Sequence, residues 1–191
     1  MPYQDDLFYI EETKKGDLNA FGILIQKHEK YAFTLALRIL KHREEAEEVA
    51  QDAFMKAYYG IHSFEGNSKF TTWLYKIIFN EAVGRQRRKK NKWDLIENEV
   101  AETIISQDLL GGIENLLAQE RKELIQKGME RLKSNESAVL TLFYLEEQSI
   151  KEIQEITTYS ESQVKILLHR GRKNLFDILQ KITNNELINL L

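Results

Sequence analysis

The chain has 191 residues, of which 42% are hydrophobic and 30% are charged, and its formal net charge is −3. This composition is typical of a folded protein with one large domain or two small ones. It contains no cysteine, nine glycines and one proline, which excludes disulfides and cysteine-ligated metal sites and favours an all-α fold with long uninterrupted helices.

The N-terminal stretch MPYQDDLFYIEETKKGD is not expected to be a signal peptide, because no basic segment precedes an apolar one. No apolar run approaches the length of about 18 residues that a membrane span needs. We therefore expect a cytoplasmic protein that does not insert into the membrane.

Helical spacing of apolar residues predicts three helices in the first half of the chain. The first covers 17–40, with Ala20, Phe21, Leu24, Ile25, Tyr31, Leu35, Leu37 and Leu40 as its apolar positions. The second runs from about residue 44 to 59, and its buried stripe is Ala46, Val49, Ala50, Ala53, Phe54 and Ala57. The opposite face of this helix carries Glu45, Glu48, Asp52 and Met55. After a loop over 60–69, the third runs from 70 to about 90 with Phe70, Trp73, Leu74, Ile77 and Ile78 facing inward.

Charge is strongly segregated around residue 92. The segment 69–92 has eight cations and one anion, with six of the cations between Arg85 and Lys92. The segment 93–120 has seven anions and no cation. Cations behind aromatic residues can hold a nucleic-acid backbone and stack exposed bases, so Tyr75, Lys76, Phe79 and Asn80, which lie off the inward stripe, could face such a ligand. A solvated helix end with favourable dipole interactions is the alternative.

The acidic segment, which contains Gly111 and Gly112, is predicted to be a linker, and helical pattern returns near Glu120. Predicted helices at 150–157 and from 161 to about 177 are joined by a short turn, with Ser160 as a candidate N-cap. This spacing is that of a helix-turn-helix, whose second helix enters the major groove. An ordinary surface helix with a solvated basic face remains the alternative.

Catalytic and metal-binding patterns are missing from the sequence. The four histidines have no metal-ligand spacing, and no Ser-His-Asp order or glycine-rich phosphate loop is present. We therefore expect a protein that is not an enzyme and needs no cofactor.

Four segments in order resemble the extracytoplasmic-function, or group IV, sigma factors of bacterial RNA polymerase, a sigma-70 subfamily. They are GDLNAFGILIQKHEKYAFTLALRIL, EEAEEVAQDAFMKAY, FEGNSKFTTWLYKIIFNEAVGRQRRKK and LTLFYLEEQSIKEIQEITTYSESQVKILLHRGRKNL. The resemblance implies region 2 at 1–92, which binds core polymerase and the −10 element, an acidic linker at 93–120, and region 4 at 121–191, which binds the −35 element.

The resemblance also implies a role for particular residues. It assigns contacts with the β′ clamp helices to Glu48, Gln51 and Asp52. Capture of a flipped −10 base falls to the loop residues Ser63, Phe64, Glu65, Gly66, Asn67, Ser68 and Lys69. The remaining −10 contacts fall to Lys76, Asn80, Arg85, Arg87 and Arg88, and the −35 contacts to Ser160, Glu161, Gln163, Lys165, His169 and Arg170.

Implied partners are core polymerase, through its β′ clamp helices and β flap, promoter DNA, and an anti-sigma factor. Departures from the family pattern are Lys76 and Ile77 in place of paired tryptophans, Thr158 in place of a turn glycine, Gln163 in place of threonine, and Leu167 in place of arginine. The first agrees with group IV and implies a narrow promoter choice.

Two other functions stay open on the residues alone. One is a helix-turn-helix repressor or activator that binds duplex DNA without polymerase. The other is a helical interaction module without any DNA role, which would show no salt-dependent affinity for DNA. The apolar tail, 182–191, is expected to pack on the second domain or to contact a regulator.

Overall fold

The computed structural model of the chain describes residues 5–93 and 113–188, with side chains described for 5–89 and 119–183. Regular structure in those ranges is helical throughout, apart from turns. The helices in chain order are α1 (Asp6–Lys14), α2 (Leu18–Leu40), α3 (Arg43–Gly60), α4 (Phe70–Trp93), α5 (Ile113–Arg131), α6 (Ser134–Leu140), α7 (Ile150–Thr157) and α8 (Glu161–Ile188).

Helices α2, α3 and α4 pack against one another and form the part of the core that lies in the first half of the chain. Helix α2 begins after Asp17, whose carboxylate accepts hydrogen bonds from the backbone N–H groups of Asn19 and Ala20, at 2.8 and 3.4 Å, as expected of an N-cap. The stripe predicted for α3 is confirmed, because all of its members are buried: Ala46, Val49, Ala50, Ala53, Phe54 and Ala57. Four alanines in this stripe let the neighbouring helices approach closely.

Helix α1 was not predicted from the sequence. Its only fully buried apolar residue is Ile10, so its apolar pattern is weak. Polar contacts anchor it to α2 instead, since Asp6 accepts a hydrogen bond of 2.9 Å at Oδ2 from His28 Nε2 and pairs with Lys27.

Apolar residues of α6, the segment 141–145, α7 and α8 continue the same buried cluster into the second half of the chain. Its buried members include Val139, Leu142, Ile153, Ile156, Val164 and Leu168. Helix α5 crosses α8 closely at Gly128, where a Cβ atom would lie 2.7 Å from Leu175 Cδ1. A larger residue would therefore require the Leu175 and Leu179 side chains to shift.

The helix-turn-helix of α7 and α8 is confirmed, and α7 spans the predicted range. Helix α7 begins with a capping box, in which Ser149 and Glu152 satisfy each other's backbone N–H groups. Its C-cap is Thr158, whose φ of 61° lies in the left-handed region. Ser160 then caps α8 as predicted, because its hydroxyl accepts a hydrogen bond of 3.3 Å from the backbone N–H of Gln163.

Some predicted boundaries and positions differ from the structure. Helix α5 begins at Ile113, inside the segment predicted as linker, and α8 continues to Ile188, well beyond its predicted end. Tyr31 is 42% exposed and does not belong to the core of α2. The central linker, 94–112, lies outside the described residues. Of the apolar tail, Ile182 is buried, and the side chains beyond residue 183 are not described.

The two halves of the chain pack against each other, with α4 against α7 and α2 against α6. The Ser134 hydroxyl donates a hydrogen bond of 2.8 Å to the carbonyl oxygen of Ile39 at this boundary. We call this boundary the seam. Within 5–93 and 113–188, no helix has both the length and the apolar character that crossing a membrane requires.

Candidate nucleic-acid interface

Helix α4 presents a polar and basic surface to solvent. Lys76 and Asn80 are both exposed and, being four residues apart, lie one above the other on the same face. Arg87 and Arg88 are exposed near the end of the helix. These four side chains can donate hydrogen bonds to phosphates or to base edges.

Tyr75 and Phe79, predicted as residues that could face a ligand, do not face solvent while the two halves of the chain are packed. They are 1% and 5% exposed, and both contact residues of the second domain. The Tyr75 hydroxyl donates a hydrogen bond of 2.6 Å to Glu146 Oε2. The Phe79 ring meets the Tyr159 ring edge-on, with centroids 6.0 Å apart.

Burial changes the ionisation of this Tyr75–Glu146 pair. The pKa of Tyr75 is raised, first by burial and then by the neighbouring Glu146 carboxylate. The pKa of Glu146 is also raised by burial, although the hydrogen bond from Tyr75 opposes that shift. The contact therefore places a poorly solvated carboxylate at the seam.

The loop between α3 and α4 is mostly accessible. Its exposed members are Ser63, Glu65, Gly66, Asn67 and Lys69, and Ser68 is half-buried. Gly66 has a φ of 77°, in the region that glycine adopts without strain. Phe64 requires a correction, because it is 3% exposed and packs against Phe70 and Trp73. Its side chain belongs to the core and is not available to a flipped base.

Lys69 links this loop to the second domain. Its Nζ lies 2.9 Å from Glu152 Oε1 on α7. Glu152 also belongs to the capping box of α7, and although burial opposes it, hydrogen bonds from Lys69 and Ser149 lower its pKa. Lys69, a candidate DNA-binding residue, is thus paired with the Glu152 carboxylate of the second domain.

The acidic face of α3 carries Glu48, Gln51 and Asp52, all exposed. Arg85 of α4 pairs with Glu48 and approaches Asp52, at 3.7 Å between Nη2 and Oδ2. The hydrogen bond that Arg85 donates to Glu48 raises the pKa of the Arg85 guanidinium. The structure therefore brings Arg85, predicted to contact DNA, to the face predicted to contact polymerase.

An apolar groove continues this face along α2 and α3. Gln51 contributes to its lining together with the apolar residues Leu18, Phe21, Ile25, Phe54, Met55, Tyr58 and Tyr59. Of these, Leu18, Met55 and Tyr59 are 66%, 57% and 76% exposed. The acidic and apolar parts of α3 together form one continuous surface.

In the first turn of α8, several residues that were predicted to bind DNA form hydrogen bonds or ion pairs with one another. The Ser160 backbone N–H donates a hydrogen bond of 2.8 Å to the Gln163 side-chain oxygen, which completes a capping box with the Ser160 hydroxyl. Glu161 and Lys165 form an ion pair of 2.6 Å. His169 and Arg170 are exposed further along, where they could reach a phosphate or a base edge.

Further polar contacts cross the seam from α2 and α4. The Thr72 hydroxyl donates to Gln148 Oε1 at 3.2 Å in a buried position. Arg38 donates to Gln126 Oε1 at 2.6 Å, and Lys41 Nζ donates to the Met129 carbonyl at 3.1 Å. Burial, together with the nearby Arg38 charge, lowers the pKa of Lys41 to about 8.

Sequence reasoning did not find Glu146, Gln148 or Tyr159, which cover α4. Each interacts with a residue more than 70 positions away, and no local periodicity reports such a partner. The seam is therefore information that only the tertiary structure carries.

Two family models match the chain over separate ranges. Sigma-70 region 2 matches residues 24–92, and Sigma-70 region 4 matches residues 122–175. The ECF RNA polymerase sigma factor SigW of Bacillus subtilis is 36% identical over 87% of this chain and 92% of its own length. The ECF RNA polymerase sigma-E factor of Escherichia coli is 30% identical over 93% of this chain and 95% of its own length.

Solved structures share the fold at lower sequence identity. The sigma factor RpoE of Bartonella quintana, solved in complex with the anti-sigma factor NepR, has a TM-score of 0.69 at 20% identity and covers 85% of this chain and 98% of that one. CnrH, solved in complex with the cytosolic domain of CnrY, has a TM-score of 0.62 at 18% identity over 93% of this chain and 99% of that one.

Proposed function

This chain belongs to the extracytoplasmic-function family of RNA polymerase sigma factors, which act in transcription initiation, and we propose how its surfaces divide that work. Region 2, at 1–92, binds core polymerase and the −10 element. Region 4, at 121–191, binds the −35 element. The acidic linker at 93–120 joins them, and α5 occupies its C-terminal part. Bacterial core polymerase and promoter DNA are its macromolecular partners.

The −10 element is read by the exposed face of α4 and by the loop before it. The observation that carries this assignment is that Lys76 and Asn80 remain exposed one turn apart, ahead of exposed Arg87 and Arg88. Unpaired bases must be held outside the stack, and unstacking costs a few kcal/mol. Cationic contacts to the flanking phosphates offset part of that cost. Ser63, Glu65, Gly66, Asn67, Ser68 and Lys69 form the base-capturing loop, without Phe64.

Polymerase binding falls to the exposed face of α3 and the groove beside it. Glu48, Gln51 and Asp52 supply polar contacts to the β′ clamp helices. Met55 and Tyr59 follow on the same exposed face and bury apolar area in the same interface. Arg85 acts here by holding Glu48 and Asp52 in place, in addition to any contact with DNA.

The −35 element is read by the first turns of α8, with contacts from Ser160, Glu161, Gln163, Lys165, His169 and Arg170. The capping box and the Glu161–Lys165 ion pair pre-organise this helix end. His169 and Arg170 supply the contacts further along the groove. The turn residue Thr158 sets the angle between α7 and α8.

The packed arrangement of the two halves belongs to the free chain and must open on a promoter. Elements at −10 and −35 lie about 25 base pairs apart, which is about 85 Å at about 3.4 Å per base pair. A chain in which α4 contacts α7 cannot place its two DNA readers that far apart. We therefore infer that the seam opens when the sigma factor binds polymerase.

Features of the seam favour reversible packing. Arg38 Nε and Nη1 and Glu146 Oε1 are buried without a hydrogen-bond partner among the described residues. Buried unsatisfied polar groups cost about 1–3 kcal/mol each. Opening hydrates them and thereby offsets part of the lost apolar contact.

An anti-sigma factor completes the proposed set of partners. Its support is the fold shared with the RpoE of Bartonella quintana, which was solved with the anti-sigma factor NepR. A protein that binds both halves at once would hold the seam closed. Co-purification of the chain from its host, with and without polymerase, tests for such a partner.

The experiment that tests the proposed function is reconstitution with bacterial core RNA polymerase. The full chain should co-elute with core polymerase and direct transcription from a subset of promoter fragments. Lys76→Ala and Asn80→Ala should reduce open-complex formation while leaving polymerase affinity unchanged. Lys181→Ala, which removes an exposed cation near the end of α8, is the matched control. Failure to bind polymerase would instead favour a stand-alone DNA-binding protein.

A further inference from the structure

Ile166 is an apolar residue at the centre of the exposed face of α8. It is 49% exposed, while Val164 and Leu168, two residues to either side, are 0% and 4% exposed. With about 3.6 residues per turn, a residue midway between these two points away from the core that they define. Ile166 therefore contributes little to the packing of its own domain.

The residues around Ile166 on that face are polar. Gln163, His169 and Arg170 lie three or four positions away and are exposed, so they share its face. Isolated exposed apolar residues are common on proteins and need no explanation by themselves. The position of Ile166 does need an explanation, because this residue lies at the middle of the helix face that enters the major groove in a helix-turn-helix.

Neighbouring side chains leave this position prominent. Gln163 and Ser160 are engaged in the capping box, and Lys165 is paired with Glu161. Ile166 has no polar atom to satisfy and can be desolvated without loss of a hydrogen bond. Isoleucine also forms exposed helix less readily than lysine, arginine or glutamine, so helix formation does not account for it.

The major groove contains one apolar group, the 5-methyl of thymine, and apolar side chains contact it. We propose that Ile166 reads a thymine in the −35 element through this methyl group. The proposal rests on the proposed function, because it assumes that α8 lies in the major groove of the −35 element. It adds an apolar component to a reader whose other contacts are hydrogen bonds and phosphate pairs.

Uracil in place of thymine tests the contact, because it removes the methyl group and keeps every hydrogen-bonding atom. The holoenzyme of full chain and core polymerase would first select its preferred −35 sequences from a random library. Each thymine of the selected element, on either strand, would then be replaced singly by uracil, and promoter affinity would be measured. One position should lose about three- to five-fold in affinity, the effect of one buried methyl group.

Ile166→Ala should reduce affinity for the thymine promoter by a similar factor. On the uracil promoter, its affinity should equal that of the wild-type holoenzyme. Ile166→Val, which keeps branched methyl groups, should retain the preference for thymine. Ile125→Ala, at an apolar position of α5 that is 51% exposed, should behave as wild type, and so should uracil placed in the spacer.

The proposal is overturned if the selected element contains no thymine or if every uracil substitution is neutral. It is also overturned if the uracil effect persists unchanged in Ile166→Ala. These outcomes differ from a failure of the proposed function, in which the holoenzyme would select no −35 sequence at all.

Discussion

Tyr75 of α4 donates its phenolic hydrogen to Glu146 at 2.6 Å, and this bond joins the proposed −10 reader to the domain of the −35 reader. The tyrosine is 1% exposed. Lys69–Glu152, Thr72–Gln148 and Phe79–Tyr159 lie along the same boundary. The face beside Lys76 and Asn80 is therefore occupied by protein while the domains are packed.

Tyr75→Phe should loosen the seam. The substitution keeps the ring but leaves the Glu146 carboxylate buried without its donor, which costs about 1–3 kcal/mol. Because the chain has no cysteine, two introduced cysteines at the exposed positions His62 and Lys173 can be labelled uniquely with dyes. Energy transfer between the dyes should fall in the variant.

The control for this variant is Tyr144→Phe. The Tyr144 hydroxyl accepts a hydrogen bond from Arg172 within the second domain, so its loss should leave the interdomain distance unchanged. Equal energy transfer in wild type and Tyr75→Phe would mean that this bond does not hold the seam.

Locking the seam should abolish promoter-specific transcription. Thr72 and Gln148 are in hydrogen-bond contact across it, so cysteines at these two positions can be joined by a short reducible crosslinker. The joined chain cannot span the two promoter elements, and reduction should restore activity. Each single-cysteine variant, treated in the same way, should stay active. Full transcription by the joined chain would exclude opening of the seam.

The stability of the docked chain should depend on the ionisation of Glu146. Burial raises the pKa of this carboxyl above its ordinary value of 4.5, so the docked state binds its proton more tightly than the unfolded state does. The associated stability is therefore lost as the pH rises from about 4.5 through the pKa of the docked state. Glu146→Gln should remove this loss.

Thermal melting of wild type and Glu146→Gln across pH 4.5 to 8 measures this dependence. The melting temperature of the wild type should fall relative to that of the variant as the pH rises. Glu147→Gln changes the adjacent, exposed carboxylate and should keep the wild-type profile. Parallel curves for wild type and Glu146→Gln would show that the carboxyl does not titrate differently on docking.

Reversal of charge on α3 should weaken the binding of core polymerase. Glu48→Lys combined with Asp52→Lys places cations where the proposed interface needs anions, and like-charge contacts at an interface are unfavourable. We expect a loss of affinity of at least about ten-fold, measured by fluorescence anisotropy of the labelled chain. Unchanged affinity would remove α3 from the interface.

Arg85→Ala is the control for that experiment. It breaks the same intramolecular ion pairs but leaves both carboxylates on the surface. Since exposed ion pairs contribute little to stability, this variant should fold and bind polymerase with only a small change in affinity. It separates loss of the interface from loss of the α3–α4 contact.

Thr158→Gly should stabilise the helix-turn-helix. Thr158 has a φ of 61°, and a left-handed backbone costs about 1–2 kcal/mol for a residue with a Cβ atom. Glycine removes that strain but adds freedom to the unfolded chain, so the net gain should be near 1 kcal/mol, or a rise of about 2–4 °C in melting temperature. Thr158→Ala keeps the Cβ atom and should gain less. A lower melting temperature for the glycine variant would contradict the strain.

Local patterns in the sequence are sufficient to predict most of the helices and many of their buried residues. The alanine-rich stripe of α3, the bounds of α7 and the Ser160 cap depend on neighbours within one or two turns, so periodicity and capping rules report them. Helix α1 was missed because it has one fully buried apolar residue and is anchored by Asp6. The start of α5 was missed because it lies within an acidic segment of weak periodicity.

The sequence by itself determined the all-α class, the division between two family-like halves, and the exposed positions Lys76 and Asn80. Tertiary structure alone decided the fate of Tyr75 and Phe79, which lie beside them on the same helix. Their partners are residues of the second domain, 71 and 80 positions further along the chain. The same holds for Phe64, which packs into the aromatic core, and for Arg85, which pairs with α3. Whether an aromatic or charged side chain meets solvent depends on what packs against it, and helical periodicity contains no information about a distant partner.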